Sequence, residues 1–338
     1  MRTIAGLGPE YVYVKTVVAR AQSIEEDLRA VLAQYTGDET TVKLFQATKL
    51  TRFLKAGEEF TNPRQVERAA YRLFIEVLSS VSTSLSEKAM KLIKPYILIP
   101  VVRDIELIIR HAQREERPPS AEELLWPENK LVQDALRLVE EGVTDPLQLL
   151  RRVGLYTAYR IVSAARSAEA LSVALDVELL KAFRDSFDAA GTELCREILG
   201  GRIDIYAART MYSLIEMKPP RQVIDTYIDQ LSSYRLSMRE IKNAVESLDA
   251  EQAKRILSNS PYGGLSENLG LLEGFIAKVR KGLRPVAKKI FTWDTVMDEP
   301  IVGVSELLLL DAEDAIIISL LAYSRQPKQR VIDLVSLA

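Results

Sequence analysis

Histidine and cysteine supply most catalytic bases, nucleophiles and transition-metal ligands, and each occurs once in these 338 residues. His111 lies in a charged segment, which is typical of a solvated surface histidine. Cys195 lies on a predicted helix, which is typical of a small buried residue. A nucleophilic Cys195 would need a positioned base, and His111 is the only histidine that could serve. The sequence therefore predicts no catalytic residue, no H-E-x-x-H site and no cysteine-based zinc cluster.

Phosphate-binding signatures are also missing from the chain. No G-x-x-x-x-G-K-[ST] loop occurs, and Gly6-Leu7-Gly8 lacks the third glycine of a dinucleotide fingerprint. An all-α enzyme would need an aspartate-rich cluster or several histidines, and the chain has neither. We therefore expect no cofactor and no small-molecule substrate.

Charge is balanced overall, with 45 basic and 47 acidic residues, but it is uneven near the C-terminus. Six basic residues and no acid lie within twelve positions: Lys278, Arg280, Lys281, Arg284, Lys288 and Lys289. Residues 298–314 then hold six acids and no base. A cationic helix face is usually only solvated, but these six side chains are also candidates for docking to an acidic partner or to acidic lipid head groups. The balanced net charge and the lack of interleaved aromatic residues argue against nucleic acid.

The elements that carry these residues follow a helical period almost throughout. Asn62-Pro63, Asp145-Pro146 and Ser237 with Glu240 are predicted helix starts. One long helix is predicted from Pro9 to Leu32. We expect Pro95 and Pro100 to interrupt a later helix, and Tyr96–Ile99 is the best strand candidate. Strand signals are otherwise poor, so the sequence predicts an all-α fold.

A segment with an acid, an apolar helical run and prolines 14 to 16 residues later occurs three times, about a hundred residues apart. The copies begin at Asp104, Asp204 and Glu313. Asp104 follows a predicted break at Pro100 and Asp204 follows one at Gly200-Gly201, where a carboxylate can cap a helix start. A true repeat predicts similar modules in series, whereas chance similarity between helical hairpins predicts nothing.

Placing each recurring segment at the end of a module gives three helical modules, at residues 1–125, 126–228 and 229–338. Each has a size common for domains. No apolar stretch approaches the 18 residues that a membrane-spanning helix needs, so we expect no such helix.

Several of these segments together resemble the C subunit of the A-type ATP synthase, which is the counterpart of the vacuolar ATPase d subunit. The resemblance includes the opening Tyr11–Arg20, the acid-led helices, the Pro261-Tyr262 loop and the closing segment Glu306–Leu334. The residues that carry this signature are Asp104, Arg110, Asp204, Arg209, Pro261, Tyr262 and Glu313.

The resemblance implies three similar modules arranged as a funnel with pseudo-three-fold symmetry. It implies a non-catalytic central-stalk subunit, peripheral on the cytoplasmic face of the cell membrane. Its partners would be the shaft subunits of the stalk and the proteolipid ring in the membrane. The alternative is an all-helical cytosolic adaptor or scaffold unrelated to the ATPase; a solenoid adaptor would show a repeat of 34–47 residues, and none is found.

Overall fold

A computed structural model describes residues 9–83, 85–114, 116–165, 170–263, 269–292 and 299–337. The regular secondary structure of these residues is entirely helical, so the all-α prediction is confirmed. The α-helices are α1 (Pro9–Arg20), α2 (Glu25–Ala33), α3 (Glu39–Leu44), α4 (Pro63–Ser82), α5 (Glu87–Gln113), α6 (Lys130–Glu140), α7 (Pro146–Arg152), α8 (Tyr156–Ala165), α9 (Leu171–Ala189), α10 (Glu193–Met217), α11 (Arg221–Gln230), α12 (Met238–Ser247), α13 (Ala250–Ser258), α14 (Leu271–Lys289), α15 (Pro300–Tyr323) and α16 (Lys328–Leu334).

The predicted helix starts are confirmed. Asn62, Asp145 and Ser237 each accept a hydrogen bond from a backbone N–H in the first turn of the following helix. Such a cap stabilises a helix by about 1 kcal/mol. These signals are local, which is why the sequence alone reveals them.

The predicted break at Pro95 and Pro100 is wrong, because both prolines lie inside α5. The strand prediction for Tyr96–Ile99 is also wrong, because these residues lie in α5. An interior proline costs a helix about 3 kcal/mol. Burial offsets this cost, since one fully buried Val, Leu or Ile side chain contributes about 1.5–3 kcal/mol. The buried apolar residues of α5 include Leu92, Ile93, Tyr96, Ile99, Val101, Val102, Ile105, Ile108 and Ile109.

The predicted break at Gly200-Gly201 is also wrong, because α10 continues through both glycines. A Cβ atom added at Gly200 would lie 2.3 Å from Cγ of Tyr234. Glycine is therefore needed here for the close approach of the tyrosine ring.

The helix predicted from Pro9 to Leu32 is two helices, α1 and α2, separated at residues 21–24. Asp311 holds this turn. Its Oδ2 accepts hydrogen bonds from the Ser23 hydroxyl at 2.6 Å and from the Ile24 backbone N–H at 3.0 Å. The break thus depends on a residue that is remote in sequence.

Helix α15 contains a core segment, since every residue from Pro300 to Ala312 is buried. It packs against α1, α2, α3, α4, α14 and α16. A Cβ at Gly303 would lie 2.3 Å from Cγ2 of Ile290, so this glycine permits the close packing of α15 at the end of α14. Among the helices described, none is long and apolar enough to cross a membrane.

The chain divides into two compact units. Unit 1 contains residues 1–96, 186–198 and 265–338, and unit 2 contains residues 97–185 and 199–264. This division reflects packing, whereas the three modules at 1–125, 126–228 and 229–338 were defined by recurring sequence. The module boundaries and the pseudo-three-fold funnel stay predictions.

Candidate functional site

Asp104 is buried within α5, at 2% exposure, and anchors the chain that follows the helix. Its Oδ1 accepts the Leu125 backbone N–H at 2.8 Å, and its Oδ2 accepts the Trp126 backbone N–H at 2.7 Å. Burial raises the pKa of Asp104 to about 6, although the two backbone hydrogen bonds oppose this shift. The sequence had predicted that Asp104 caps the start of its own helix. This prediction is wrong, because Asp104 lies inside α5 and fixes a later segment.

Asp204 has the same role inside α10, where it is fully buried. Its carboxylate accepts the backbone N–H of Tyr234 at 2.7 Å and that of Arg235 at 2.8 Å. The Tyr262 hydroxyl donates a third hydrogen bond at 2.8 Å. Burial raises the pKa of Asp204 and also that of Tyr262. The predicted Pro261-Tyr262 loop is thus tied to the acid-led helix through Tyr262.

In α15, the anchoring residue is Asp314, which is fully buried. Its Oδ1 accepts the Ser336 backbone N–H at 2.9 Å, and its Oδ2 accepts the Ser336 hydroxyl at 2.7 Å. The sequence pattern placed the acid at Glu313, one residue earlier. Adjacent residues of a helix point about 100° apart, so only one of two neighbouring acids can face the returning chain. Glu313 lies at the rim, with 25% of its side chain exposed.

The basic segment and the acidic segment are joined inside unit 1 as an ion-pair network. Arg280 donates to Glu313 at 2.8 Å and to Asp314 at 2.6 Å. Arg284 donates to Asp311 at 2.8 Å and to Asp314 at 3.0 Å. Within the described part of the chain, the network holds four cations and four anions, which are Arg29, Arg280, Arg284, Lys288, Glu25, Asp311, Glu313 and Asp314. The charges of these eight residues therefore balance within the protein.

Glu25 links α2 to this network. Arg284 lies 3.1 Å from its Oε2, and Lys288 lies 2.7 Å from its Oε1. Burial alone would raise the pKa of Glu25, but hydrogen bonds from Lys288 and Arg29 and the charge of Arg284 lower it to about 2. Glu25 is thus held as a carboxylate.

The six candidate docking residues are therefore not one solvated face. Arg280 and Arg284 are each 3% exposed. Lys288 pairs with Glu25, and Lys281 donates to the Ile332 carbonyl at 3.0 Å. Burial lowers the pKa of Lys281. Lys278 is half-buried and Lys289 is exposed, so these two lysines are the better placed for contact with a partner.

The two signature arginines pair with acids in unit 2. Arg110 contacts Glu106 at 2.6 Å, as the i,i+4 spacing predicts, and also bonds the Ser172 hydroxyl at 3.0 Å. Arg209 contacts Asp176 at 3.2 Å. Burial raises the pKa of Asp176, although the Arg209 charge opposes this. Both arginines thus connect neighbouring helices.

Cys195 is buried, and burial raises the pKa of its thiol. Nearby, Glu299 caps the start of α10 by accepting the Gly191 N–H at 2.7 Å and the Thr192 N–H at 3.1 Å. The His111 Nδ1 lies 2.9 Å from the Arg117 carbonyl oxygen. Among the residues with described positions, no three His, Cys, Asp or Glu side chains form a group that could hold a metal ion.

Sequence reasoning missed five structural carboxylates and one hydroxyl: Glu25, Asp311, Asp314, Glu299, Glu178 and Ser336. Glu178 accepts the backbone N–H groups of Thr157 and Ala158 at the start of α8. Asp311 and Asp314 did carry a signal, because they are isolated acids in a strongly apolar helix. A charge in such a helix requires a partner, and Arg280 and Arg284 supply it.

Together these observations define an all-helical protein in which buried carboxylates on long helices fix the segments that return to them. The sequence model of the ATP synthase (C/AC39) subunit matches residues 20–289. The chain belongs to this family and is therefore a subunit of an A/V-type ATP synthase. The resemblance seen in the sequence is confirmed, and the alternative of an adaptor unrelated to the ATPase is wrong. The comparison with curated proteins gave no match.

Proposed function

We propose that this chain is a non-catalytic coupling subunit of the central stalk. It links the rotor shaft to the proteolipid ring and transmits torque during ion-driven ATP synthesis or ATP-driven ion pumping. It lies peripherally, on the cytoplasmic face of the membrane, and takes no substrate, cofactor or nucleic acid. The observation that carries this proposal is the set of buried anchors at Asp104, Asp204 and Asp314, in a chain of the ATP synthase (C/AC39) subunit family.

A coupling protein must resist deformation between the two surfaces it joins. Apolar packing is strong but has little directionality, so packed segments can slide under load. A buried carboxylate that accepts two backbone N–H groups adds short, directional, charge-assisted hydrogen bonds. These bonds are stronger in the low dielectric of the interior than in water. Each anchor therefore limits sliding between a long helix and its returning segment.

The ion-pair network supports the same role in unit 1. Arg280 and Arg284 connect α14 to α15, and Arg280 also donates to the Leu334 carbonyl at 3.1 Å. Buried ion pairs contribute modestly to net stability, because desolvation opposes their attraction. They do fix one arrangement, since any slip would leave a buried charge unpaired. That property suits a part that must keep its shape under torque.

Reconstitution tests the coupling role. The shaft subunits and the detergent-solubilised proteolipid ring are mixed with and without this chain, and the complex is isolated through a tag on the ring. We expect the shaft to co-purify only when the chain is present. In proteoliposomes, ATP hydrolysis should drive ion pumping only with the chain. Shaft recovery that does not change when the chain is omitted would contradict the proposal.

Docking through Lys278 and Lys289 is the second part of the proposal, with Lys281 and Lys288 as neighbours. Charge reversal of Lys278 and Lys289 to Glu should weaken assembly at 0.1 M salt. The difference from wild type should shrink at 1 M salt, because the Debye length falls from ~10 Å to ~3 Å. The double reversal of Lys43 and Lys242, two other exposed lysines, is the matched control. Equal assembly of both variants at low salt would mean that the lysines are only solvated.

A further inference from the structure

A cavity of about 480 Å³ lies in unit 2, between the start of α12 and the end of α13. Its wall is largely polar and includes Arg235, Ser237, Glu240, Arg255, Asn259 and Ser260. The ion pairs described above lie outside this wall, and Arg235 connects it to the Asp204 anchor. The cavity therefore calls for its own explanation.

Arg235 is held in place on this wall from two sides. Its backbone N–H donates to the Asp204 carboxylate at 2.8 Å. Its guanidinium lies 5.5 Å from the ring centroids of Tyr234 and Tyr262. Stacking on aromatic faces orients a guanidinium. The Asp204 anchor thus fixes one cation at the edge of the cavity.

Arg255 supplies a second cation from the last turn of α13. Its side chain has neither a hydrogen bond nor an ion pair with any residue whose position is described. Arg221, by contrast, is an exposed arginine that pairs with an acid, Asp225. The Arg255 guanidinium is therefore available to a ligand.

Ser260 gives an independent sign of a missing partner. It is 7% exposed, and its hydroxyl has no hydrogen-bond partner within the described part of the chain. A buried hydroxyl without a partner is destabilising, because burial removes its hydrogen bonds to water. The start of α12, which carries the positive end of the helix dipole, faces the same cavity through Ser237. These groups all favour an anion.

The charge of the wall indicates which anion. Arg235 and Arg255 provide two positive charges, and Glu240 provides one negative charge. The net charge suits a single carboxylate better than a polyphosphate, which carries several negative charges. Arginine also matches the planar carboxylate with two parallel N–H donors.

We propose that this cavity binds an aspartate or glutamate side chain in an acidic segment of another ATP synthase subunit. Arg255 forms the main ion pair, Arg235 orients the carboxylate, and the Ser260 hydroxyl donates to it. This proposal requires only that the chain assembles with other subunits and does not depend on torque transmission. Its test is therefore separate from the reconstitution above.

Fluorescence polarisation with a labelled penta-glutamate peptide tests the site, and a penta-glutamine peptide is the reference. We expect the full chain to bind the glutamate peptide at 0.05 M salt. Arg255→Gln should weaken binding about tenfold, as loss of a specific charged contact does. Lys254→Gln removes the same charge from the next residue, which does not line the cavity, and should leave the affinity within about twofold.

Ser260→Ala should weaken binding about threefold without loss of fold, because it removes one donor from the site. Equal effects of Arg255→Gln and Lys254→Gln would show non-specific attraction and overturn the proposal. Failure of the glutamate peptide to bind would overturn it as well. Inorganic phosphate that displaces the peptide below millimolar concentration would indicate a site for free anions, which also contradicts a protein carboxylate as the ligand.

Discussion

Replacing Asp314 with Asn tests whether the anchor in α15 needs its charge. The carboxylate accepts hydrogen bonds from Arg280 at 2.6 Å, from Arg284 at 3.0 Å, and from the Ser336 N–H and hydroxyl at 2.9 and 2.7 Å. Asn has the same size, and its oxygen can still accept a hydrogen bond from the Ser336 N–H. Its amide NH₂, however, would then face the donors that now bind Oδ2, which are the Arg284 guanidinium and the Ser336 hydroxyl. Asp314→Asn therefore removes charge while it disturbs packing little.

The expected cost follows from the burial of the partners. Arg280 and Arg284 are each 3% exposed, so the loss of Asp314 leaves two buried cations with fewer counter-charges. Removing one partner of a buried ion pair costs about 3–5 kcal/mol. Glu313→Gln is the matched control, because this neighbouring carboxylate is 25% exposed and pairs with Arg280 from the rim of the same network. Partly exposed pairs contribute about 1 kcal/mol or less.

Differential scanning calorimetry of both variants measures the effect. The Tm of a cooperative unit of 150–250 residues shifts by about 2–4 °C per kcal/mol. Asp314→Asn should therefore lower the Tm of unit 1 by roughly 6–20 °C, and Glu313→Gln by no more than about 4 °C. A second substitution, Arg284→Met, should cost less stability in the Asp314→Asn background than in the wild type, because the two residues are partners in one network.

Equal melting temperatures for Asp314→Asn and Glu313→Gln would refute this reasoning. That result would mean that water or another acid compensates Arg280 and Arg284. Additive losses for the Arg284→Met and Asp314→Asn pair would also count against it, because partners in one network should show strong coupling.

Three further predictions concern the fold. Tyr262→Phe removes a hydroxyl donor from the buried Asp204 carboxylate and should lower the free energy of unfolding in urea by about 1.5–3 kcal/mol; no loss would show that the bond is dispensable. Burial raises the pKa of Asp104 from 3.8 to about 6, so the folded state binds this proton more tightly, and the resulting stability is complete below about pH 4 and lost as the pH rises through about 6. Urea unfolding at pH 4, 5.5 and 7 measures how the free energy of unfolding changes with pH. Asp104→Asn should reduce this change by about 3 kcal/mol, and the same change in the variant as in the wild type would contradict a raised pKa for Asp104. Gly200→Ala should destabilise the protein by about 1–3 kcal/mol, because its Cβ would lie 2.3 Å from a tyrosine ring. Gly282→Ala, with open space around its Cβ, should stabilise α14 by up to about 1 kcal/mol. Calorimetry that shows Tm changes of the same sign for both variants would refute the packing argument.

Local signals in the sequence predicted the parts of the fold that local physics decides. Helix starts at Asn62, Asp145 and Ser237 need only a side-chain oxygen and the next backbone N–H groups. The continuity of α5 through its prolines could not be predicted in this way. It depends on the apolar surface that α5 buries against distant segments, and single-sequence propensity does not contain that contribution.

The basic segment shows the same limit for the candidate site. Its charge was visible, but the burial of Arg280 and Arg284 depends on acids on another helix, about 30 residues later in the chain. A run of cations looks identical whether it faces solvent or an internal row of carboxylates. The two arginines are four residues apart, so they lie on one face of α14. Asp311 and Asp314 are three residues apart and lie on one face of α15. Matching such pairs between helices is the signal that would have separated internal pairing from docking.

The third acid shows why a repeat can be detected before its residues can be aligned. Spacing to the following proline favoured Glu313, whereas contacts select Asp314, because a shift of one residue turns a helical side chain by about 100°. Asp104, Asp204 and Asp314 then share a property that no sequence spacing expresses. Each accepts a backbone N–H from the segment that follows the prolines, at 2.7 to 2.9 Å. A recurring hydrogen bond is harder to produce by chance than a recurring residue pattern. It requires the helix, the turn and the returning segment to place the carboxylate and the backbone N–H at the same relative positions each time. Such agreement favours three related helical modules over unrelated hairpins.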